Sequence, residues 1–347
     1  MKIKFFLCLM SVLLVLVLAA CTSPAPASTV TLKFAHHTTP TSAYAAASEW
    51  FLNEIEQRSN GQVKFERYFS ASLAPSKEVL EAINSGLADA GLVSGFYSPG
   101  KTPLLAFGKS ACLFKHQYEG LMAFQDMFEE VPAMMEELDA YNCLPMTTTG
   151  TSSMGLITKK QISSLADIQG LKIRTGGPQA EIVKELGGVP VNLAGPEIFE
   201  ALDKGTIDGV VYNPAAILAY GVQDAGKYYY NLPFGGSLSI LGINAQSWNK
   251  LPKDVQKIIK EVAKEHPAAH QQIYEIEGDG VGFEVFKEKG IAVIEPSASD
   301  LNKVLALAAQ GWDKWAAEME GQGLPGRDVV DTFMKLVEKY EPKNPDF

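Results

Sequence analysis

Apolar and polar positions along the chain fall into two alternating rhythms. Val30-Thr31-Leu32-Lys33-Phe34 alternates with the period of a strand, and residues 63–68 repeat the pattern. Between them Ala43, Ala46, Ala47, Trp50, Phe51 and Ile55 fall at helical spacing. Continued downstream, this rhythm predicts an α/β fold with mainly parallel strands. The last third is helical. An amphipathic stretch runs from Pro252 to about Glu277 through Val255, Ile258, Ile259 and Val262, and Pro267 should bend or interrupt it. Further helices are expected near 300–319 and 327–340, and a long helix this late in the chain could brace two lobes.

The first twenty residues follow a different pattern. Lys2 and Lys4 precede an almost unbroken apolar run from Phe5 to Ala20, which is short for a membrane span. Leu18-Ala19-Ala20-Cys21 matches a bacterial lipoprotein cleavage site, with Cys21 as the lipid-bearing residue. Residues 22–28 then form a short tether rich in proline, alanine and serine. The mature chain of about 327 residues exceeds the usual size of one core, so two lobes are expected. The expected division puts 29–151 with about 239–278 in lobe I, and about 152–238 with 279–340 in lobe II.

A repeat supports two lobes. EVLEAINSGLADAGLVS (Glu78 to Ser94) aligns with EIFEALDKGTIDGVVYN (Glu197 to Asn213), 119 residues further on. Glutamate, alanine, glycine and aspartate recur at matching places. Each copy reads as a helix, a glycine suited to a left-handed stop, an aspartate and an apolar strand. Ser94 and Asn213 then stand at equivalent strand ends, where α/β sheets bind their ligands.

The net charge of −10 becomes −12 once Lys2 and Lys4 leave with the leader. An acidic chain without a basic face does not suit nucleic acid. Enzyme motifs for a nucleophile elbow, a phosphate loop, a dinucleotide site or a zinc helix are absent from the sequence. His266 and His270, four apart, read as solvated rather than metal-binding, and no cofactor is expected. His36-His37 follows the first strand. Neighbours on a strand face opposite ways, so at most one reaches the cleft, and His37 is the candidate. Cys112 and Cys143 are the two cysteines left beyond Cys21. In an oxidising compartment they form a disulfide or remain two buried thiols, and both readings stay open.

Arg174 is the strongest single candidate. It ends Leu171-Lys172-Ile173-Arg174 and is followed by Thr175-Gly176-Gly177-Pro178. An arginine at a strand's carboxyl end, beside glycines that admit a ligand, can grip a carboxylate with two parallel hydrogen bonds.

SLADIQGLKIRTGG (Ser164 to Gly177) resembles the signature of the extracytoplasmic solute receptors of tripartite ATP-independent periplasmic (TRAP) transporters, the DctP type. The resemblance extends through Glu197 to Tyr212-Asn213-Pro214, through SGLADAGLVSGFYSPGKTPL (Ser85 to Leu104) and through LPKDVQKIIKEVA (Leu251 to Ala263). It implies a two-lobed periplasmic-binding-protein fold, type II-like, with hinge strands and a long bracing helix. It also implies closure on a small organic acid and delivery to a small and a large integral membrane subunit driven by an ion gradient. By this resemblance Arg174 takes the ligand carboxylate and Asn213 adds a hydrogen bond. Tyr212, Ser94, Tyr97 and His37 complete the expected ligand site. Sialic-acid-binding members carry a second arginine about twenty residues earlier, where this chain has Met154. The stretches around Phe96-Tyr97 and Tyr220 resemble members that take aromatic or other less polar monocarboxylates. The expected location is the periplasm or cell surface, with a lipid anchor on Cys21. Two alternatives remain: a binding lipoprotein of an ATP-driven importer, and a lipid-anchored α/β enzyme.

Overall fold

The computed structural model describes residues 29–193 and 195–341. The leader, Cys21 and the tether lie outside the described residues. In the first lobe, β1 (Val30–Ala35), α1 (Ala43–Arg58), β2 (Val63–Tyr68), α2 (Val79–Ser85) and β3 (Ala90–Val93) follow the expected rhythm. The Ser42 hydroxyl caps α1 by accepting from the Ala45 N–H at 3.2 Å. The buried face of α1 is Tyr44, Ala47, Phe51, Leu52 and Ile55, while Ala46 points to solvent. Then come α3 (Gln117–Glu130), α4 (Pro132–Asp139) and β4 (Cys143–Thr151).

The chain crosses to the second lobe through residues 151–155. There β5 (Gly155–Thr158), β6 (Lys172–Arg174), α5 (Pro178–Glu185), β7 (Val189–Val191), α6 (Gly195–Asp203), β8 (Gly209–Tyr212), α7 (Pro214–Ala219) and β9 (Tyr228–Tyr230) follow. It returns to the first lobe for β10 (Ser237–Asn244), α8 (Ala245–Lys250) and α9 (Lys253–Gln271). The first sheet has the order β2-β1-β3-β10-β4, with β10 antiparallel to both its neighbours. The second gains β11 (Ala292–Ile294) and runs β11-β9-β5-β8-β6-β7.

One helical run joins the lobes. α9 continues through a π-helical segment (Gln272–Asp279) into α10 (Gly280–Lys289). Val255, Ile259 and Val262 pack into the first lobe and Phe286 into the second. Pro267 does not interrupt α9. It removes the N–H that would bond the carbonyl of residue 263, and the Thr147 hydroxyl donates to that Ala263 carbonyl instead, at 3.4 Å.

The expected division of the C-terminal region needs correction. α11 (Ala298–Gly321) spans both lobes, with Val304 and Ala308 in the second-lobe core and Ala316 and Met319 in the first. α12 (Gly326–Tyr340) belongs to the first lobe, where Phe333 meets Phe107 and Phe124 with ring centroids 5.5 and 6.3 Å apart. Its apolar face, Val329, Val330, Phe333, Leu336 and Val337, needs a partner, and α3 supplies Phe124 and Leu121.

The sequence reading of His266 and His270 as solvated needs correction: both are fully buried. His266 contacts the Thr147 hydroxyl at 3.2 Å and the Ala47 carbonyl at 3.2 Å, and His270 contacts the Thr149 hydroxyl at 2.9 Å. β4 thus offers polar partners to a helix face that would otherwise bury imidazoles alone. Cys112 and Cys143 stay free. Cys143 starts β4 opposite Asn244, whereas Cys112 lies against Gly235, beyond the other end of β10. Eight residues of strand at ~3.3 Å each separate the two, far beyond the reach of a disulfide.

Candidate functional site

The repeat is a repeat in three dimensions. Gly86 and Gly205 both take the left-handed conformation, at φ 77° and 72°, and stop α2 and α6. Asp89 then accepts from the Lys33 N–H at 2.9 Å, and Asp208 from the Lys172 N–H at 2.8 Å. Each aspartate staples the new strand to its parallel neighbour. Phe34 therefore pairs with Ala90, and Ile173 with Gly209, in matching register. Ser94 and Asn213 follow at equivalent strand ends, as the sequence predicts. In the same frame Ala35 is the counterpart of Arg174, since they pair with Gly91 and Val210.

Arg174 is half-buried at the carboxyl end of β6. Its Nε and one terminal nitrogen donate to the Leu193 carbonyl at 3.3 and 3.2 Å, and the guanidinium lies 4.3 Å from the Tyr212 ring centroid. Stacking and a backbone carbonyl fix the fork without neutralising it, and among the described residues Arg174 makes no salt bridge. Tyr212 stacks in turn on Tyr220, 5.6 Å away at 14°. Burial pushes the Tyr212 phenol up to about 12, against the pull of the Arg174 charge.

The first lobe faces this with a second aromatic group. Gly177, beside Arg174 in the sequence, approaches Phe96 so closely that an added Cβ would sit 3.2 Å from its ring. The φ of +60° at Gly177 also requires glycine there. Phe96 meets Tyr97 edge-on at 5.1 Å, and Tyr97 meets His37 at 5.0 Å with its hydroxyl 3.4 Å from Nε2. The Tyr97 phenol is pushed up, chiefly by burial and then by the neighbouring Tyr220, against the pull of the Arg174 charge across the cleft. Burial, then the charge of Lys109, lowers His37 to about 4, so it is a neutral hydrogen-bonding group.

Of the expected site residues, Arg174, Tyr212, Tyr97 and His37 converge. Three buried polar atoms here, His37 Nδ1, Ser94 Oγ and Gln179 Nε2, have no partner within the described residues. Asn213 is more committed than expected. Its carbonyl oxygen caps α7 by accepting from the Ala216 N–H at 2.8 Å, and its Nδ2 donates to the Tyr274 hydroxyl at 3.2 Å. One amide hydrogen is left for a ligand. His36 turns the other way, into the first-lobe core, where burial lowers it to about 3.

Lys109 escaped the sequence reading. Its Nζ lies 4.0 Å from the Phe96 ring centroid, and burial, then the charge of Arg174, lowers it to about 8. The available signal was a single charge inside the otherwise uncharged stretch from Thr102 to Phe114. Among the described residues no cluster of His, Cys, Asp or Glu could hold a metal ion, and no helix is long and apolar enough to cross a membrane. A cavity of about 460 Å³ between α5 and α11 shares Gly177 with this site but none of its aromatic or cationic groups.

Residues 34–318 match the family model for bacterial extracellular solute-binding proteins, family 7, DctP. A monocarboxylate 2-oxoacid-binding periplasmic protein from Nostoc sp. is 30% identical over 61% of this chain and 59% of its own length. The C4-dicarboxylate-binding periplasmic protein DctP of Rhodobacter capsulatus is 24% identical over 67% of this chain and 70% of its own. Among solved structures, a TRAP periplasmic solute-binding protein from Desulfovibrio salexigens superposes with a TM-score of 0.82 at 23% identity. The match covers 92% of this chain and 98% of that one. A TRAP solute-binding protein from Rhodoferax ferrireducens in complex with copurified benzoate gives 0.78 at 22% identity, covering 90% and 98%.

Proposed function

Because the chain belongs to the DctP family of extracellular solute-binding proteins, the receptors of TRAP transporters, we propose that Arg174 captures the carboxylate of a small organic acid between the two lobes. The observation that carries this reading is the Arg174 fork. It is held by Leu193 and Tyr212, has no acidic partner among the described residues, and is faced by Tyr97 from the other lobe. A charge-assisted pair of hydrogen bonds to such a fork is strong because the geometry is set before the ligand arrives.

The work is capture and hand-over rather than catalysis. Tyr97, His37 and Ser94 on the first lobe and Tyr212 and Asn213 on the second supply the remaining contacts. Ligand that touches both sides binds the closed form better and shifts the population toward it. The π segment at Gln272–Asp279 lies where the joining helix passes between lobes and is the natural place for that motion. The loaded receptor would dock on two integral membrane subunits. Cleavage before Cys21 and lipid on its sulfur would hold it at the membrane surface, facing the periplasm or the exterior.

The relatives that bind 2-oxoacids, C4-dicarboxylates and benzoate share the carboxylate and differ in the rest of the molecule. A thermal-shift screen of the mature domain tests the class. Organic acids should raise the melting temperature by several degrees at millimolar concentration. A screen in which only sugars or amines do so would overturn the reading.

A further inference from the structure

Lys109 gives the site a second cation. It is the last residue of the 3-10 turn Leu105–Lys109, and the preceding Gly108 fits against β10 so tightly that a Cβ would lie 2.6 Å from the Leu238 carbonyl oxygen. The lysine stem therefore leaves a fixed point. Its ammonium rests on Phe96, the ring that touches Gly177 beside Arg174. The charge that acts on it is that of Arg174 on the second lobe, and it acts in turn on the neutral His37 of the first; neither is an anion. Among the described residues no carboxylate pairs with Lys109 or with Arg174. Two cations in one sheltered place repel each other, and the face of Phe96 offsets only part of that cost.

We propose that Lys109 is the second ligand-binding cation of this receptor. The preferred ligand is then an acid with an oxygen acceptor, oxo or carboxylate, in addition to the carboxylate held by Arg174. This rests on the capture of a carboxylate by Arg174 and adds what lies at the other end of the ligand. An acid with one carboxylate and no further acceptor leaves Lys109 desolvated without an anion. An acid with the second acceptor satisfies both cations, and each added charge-assisted hydrogen bond is worth about tenfold or more in affinity.

Calorimetric titration with three acids of one carbon skeleton tests this: the plain monocarboxylate, its 2-oxo derivative and the corresponding dicarboxylate. Wild-type protein should favour at least one of the latter two by about tenfold or more. Lys109→Met should remove that preference, so that the three acids bind within about threefold of one another, and Lys109→Arg should keep part of it. Melting temperatures identify a variant that fails to fold, in which case Lys109→Gln replaces Lys109→Met. Equal losses for all three acids, or none, would overturn the proposal while leaving the Arg174 reading intact. If no acid of the series or of the wider screen binds wild type, the Arg174 reading falls and this one with it.

Discussion

The two copies of the repeat share a backbone and differ in chemistry. Both have a helix stopped by a left-handed glycine, an aspartate bonded to the neighbouring strand's N–H, and a short strand in the same parallel register. At the strand tips they diverge. The first lobe offers Ala35, His36 and Ser94 where the second offers Arg174, Thr175 and Asn213. All five histidines fall in the first lobe or on α9, which packs on it, and the described second lobe contains none. One lobe holds the guanidinium fork stacked on Tyr212, and the other supplies Lys109, the Phe96 and Tyr97 rings and neutral polar groups. Backbone hydrogen bonds and glycine conformations duplicate a scaffold without dictating what its tips carry, and that freedom lets one cleft have unlike walls.

The largest effect should come from removing the fork. Arg174→Ala should weaken binding of an organic acid about 100-fold to 1000-fold, the loss expected for a bidentate charge-assisted pair, while the melting temperature of the free protein moves little. Arg174→Lys keeps the charge but not the geometry and should still lose about tenfold or more. Calorimetry on both variants decides, and retained affinity in Arg174→Ala would break the comparison.

Next in size are the aspartate staples. Asp208→Ala removes the partner of an exposed strand N–H and should cost about 0.5–1.5 kcal/mol in urea unfolding. Asp89→Ala should cost more, because Asp89 also accepts from the Ser247 hydroxyl at 2.6 Å. If the second-lobe variant proves the weaker of the two, the staples are not the equivalent parts described above.

A smaller effect concerns acid. Burial holds His36 at about 3, His37 and His266 at about 4 and His270 well below its ordinary value, so the fold keeps all four neutral. The unfolded chain protonates them below about pH 6.5. Glu137 and Asp279, raised by burial to about 7, act the other way, because the fold keeps protons there that the unfolded chain has released by pH 5. Four protons against two leaves the unfolded state binding more. Stability should therefore fall from about pH 6.5 toward 4, by ~1.4 kcal/mol per uncompensated proton per pH unit. Hydrogen exchange should show the loss first in β1 and β4 of the first lobe. Earlier loss in β5 and β8 would contradict the assignment of the acid-sensitive groups.

The sequence exposed what is local and repeated. The glycine–aspartate pairs lie within one helix–strand unit, and Arg174 sits in a contiguous motif, so spacing alone located them. Long-range packing was not visible. Nothing within residues 326–340 reveals that their apolar face meets α3, about two hundred positions earlier, and the helix was expected on the other lobe. His266 and His270 look polar on a helical face, and their burial depends on Thr147 and Thr149, hydroxyls on a strand some 120 residues away. Lys109 belongs to no motif. Its place is set by the fit of Gly108 against β10 and by a ring from a different loop. Cys112 and Cys143 form a plausible pair by count, but opposite ends of the same sheet region keep them apart.

The structure of the chain crystallised with the acid that most raises its melting temperature tests the central claim most directly. Both oxygens of one carboxylate should lie about 2.7–2.9 Å from the terminal nitrogens or Nε of Arg174, with Tyr212 on one side and Tyr97 approaching from the other lobe. An acid bound with its carboxylate away from Arg174 would contradict the account.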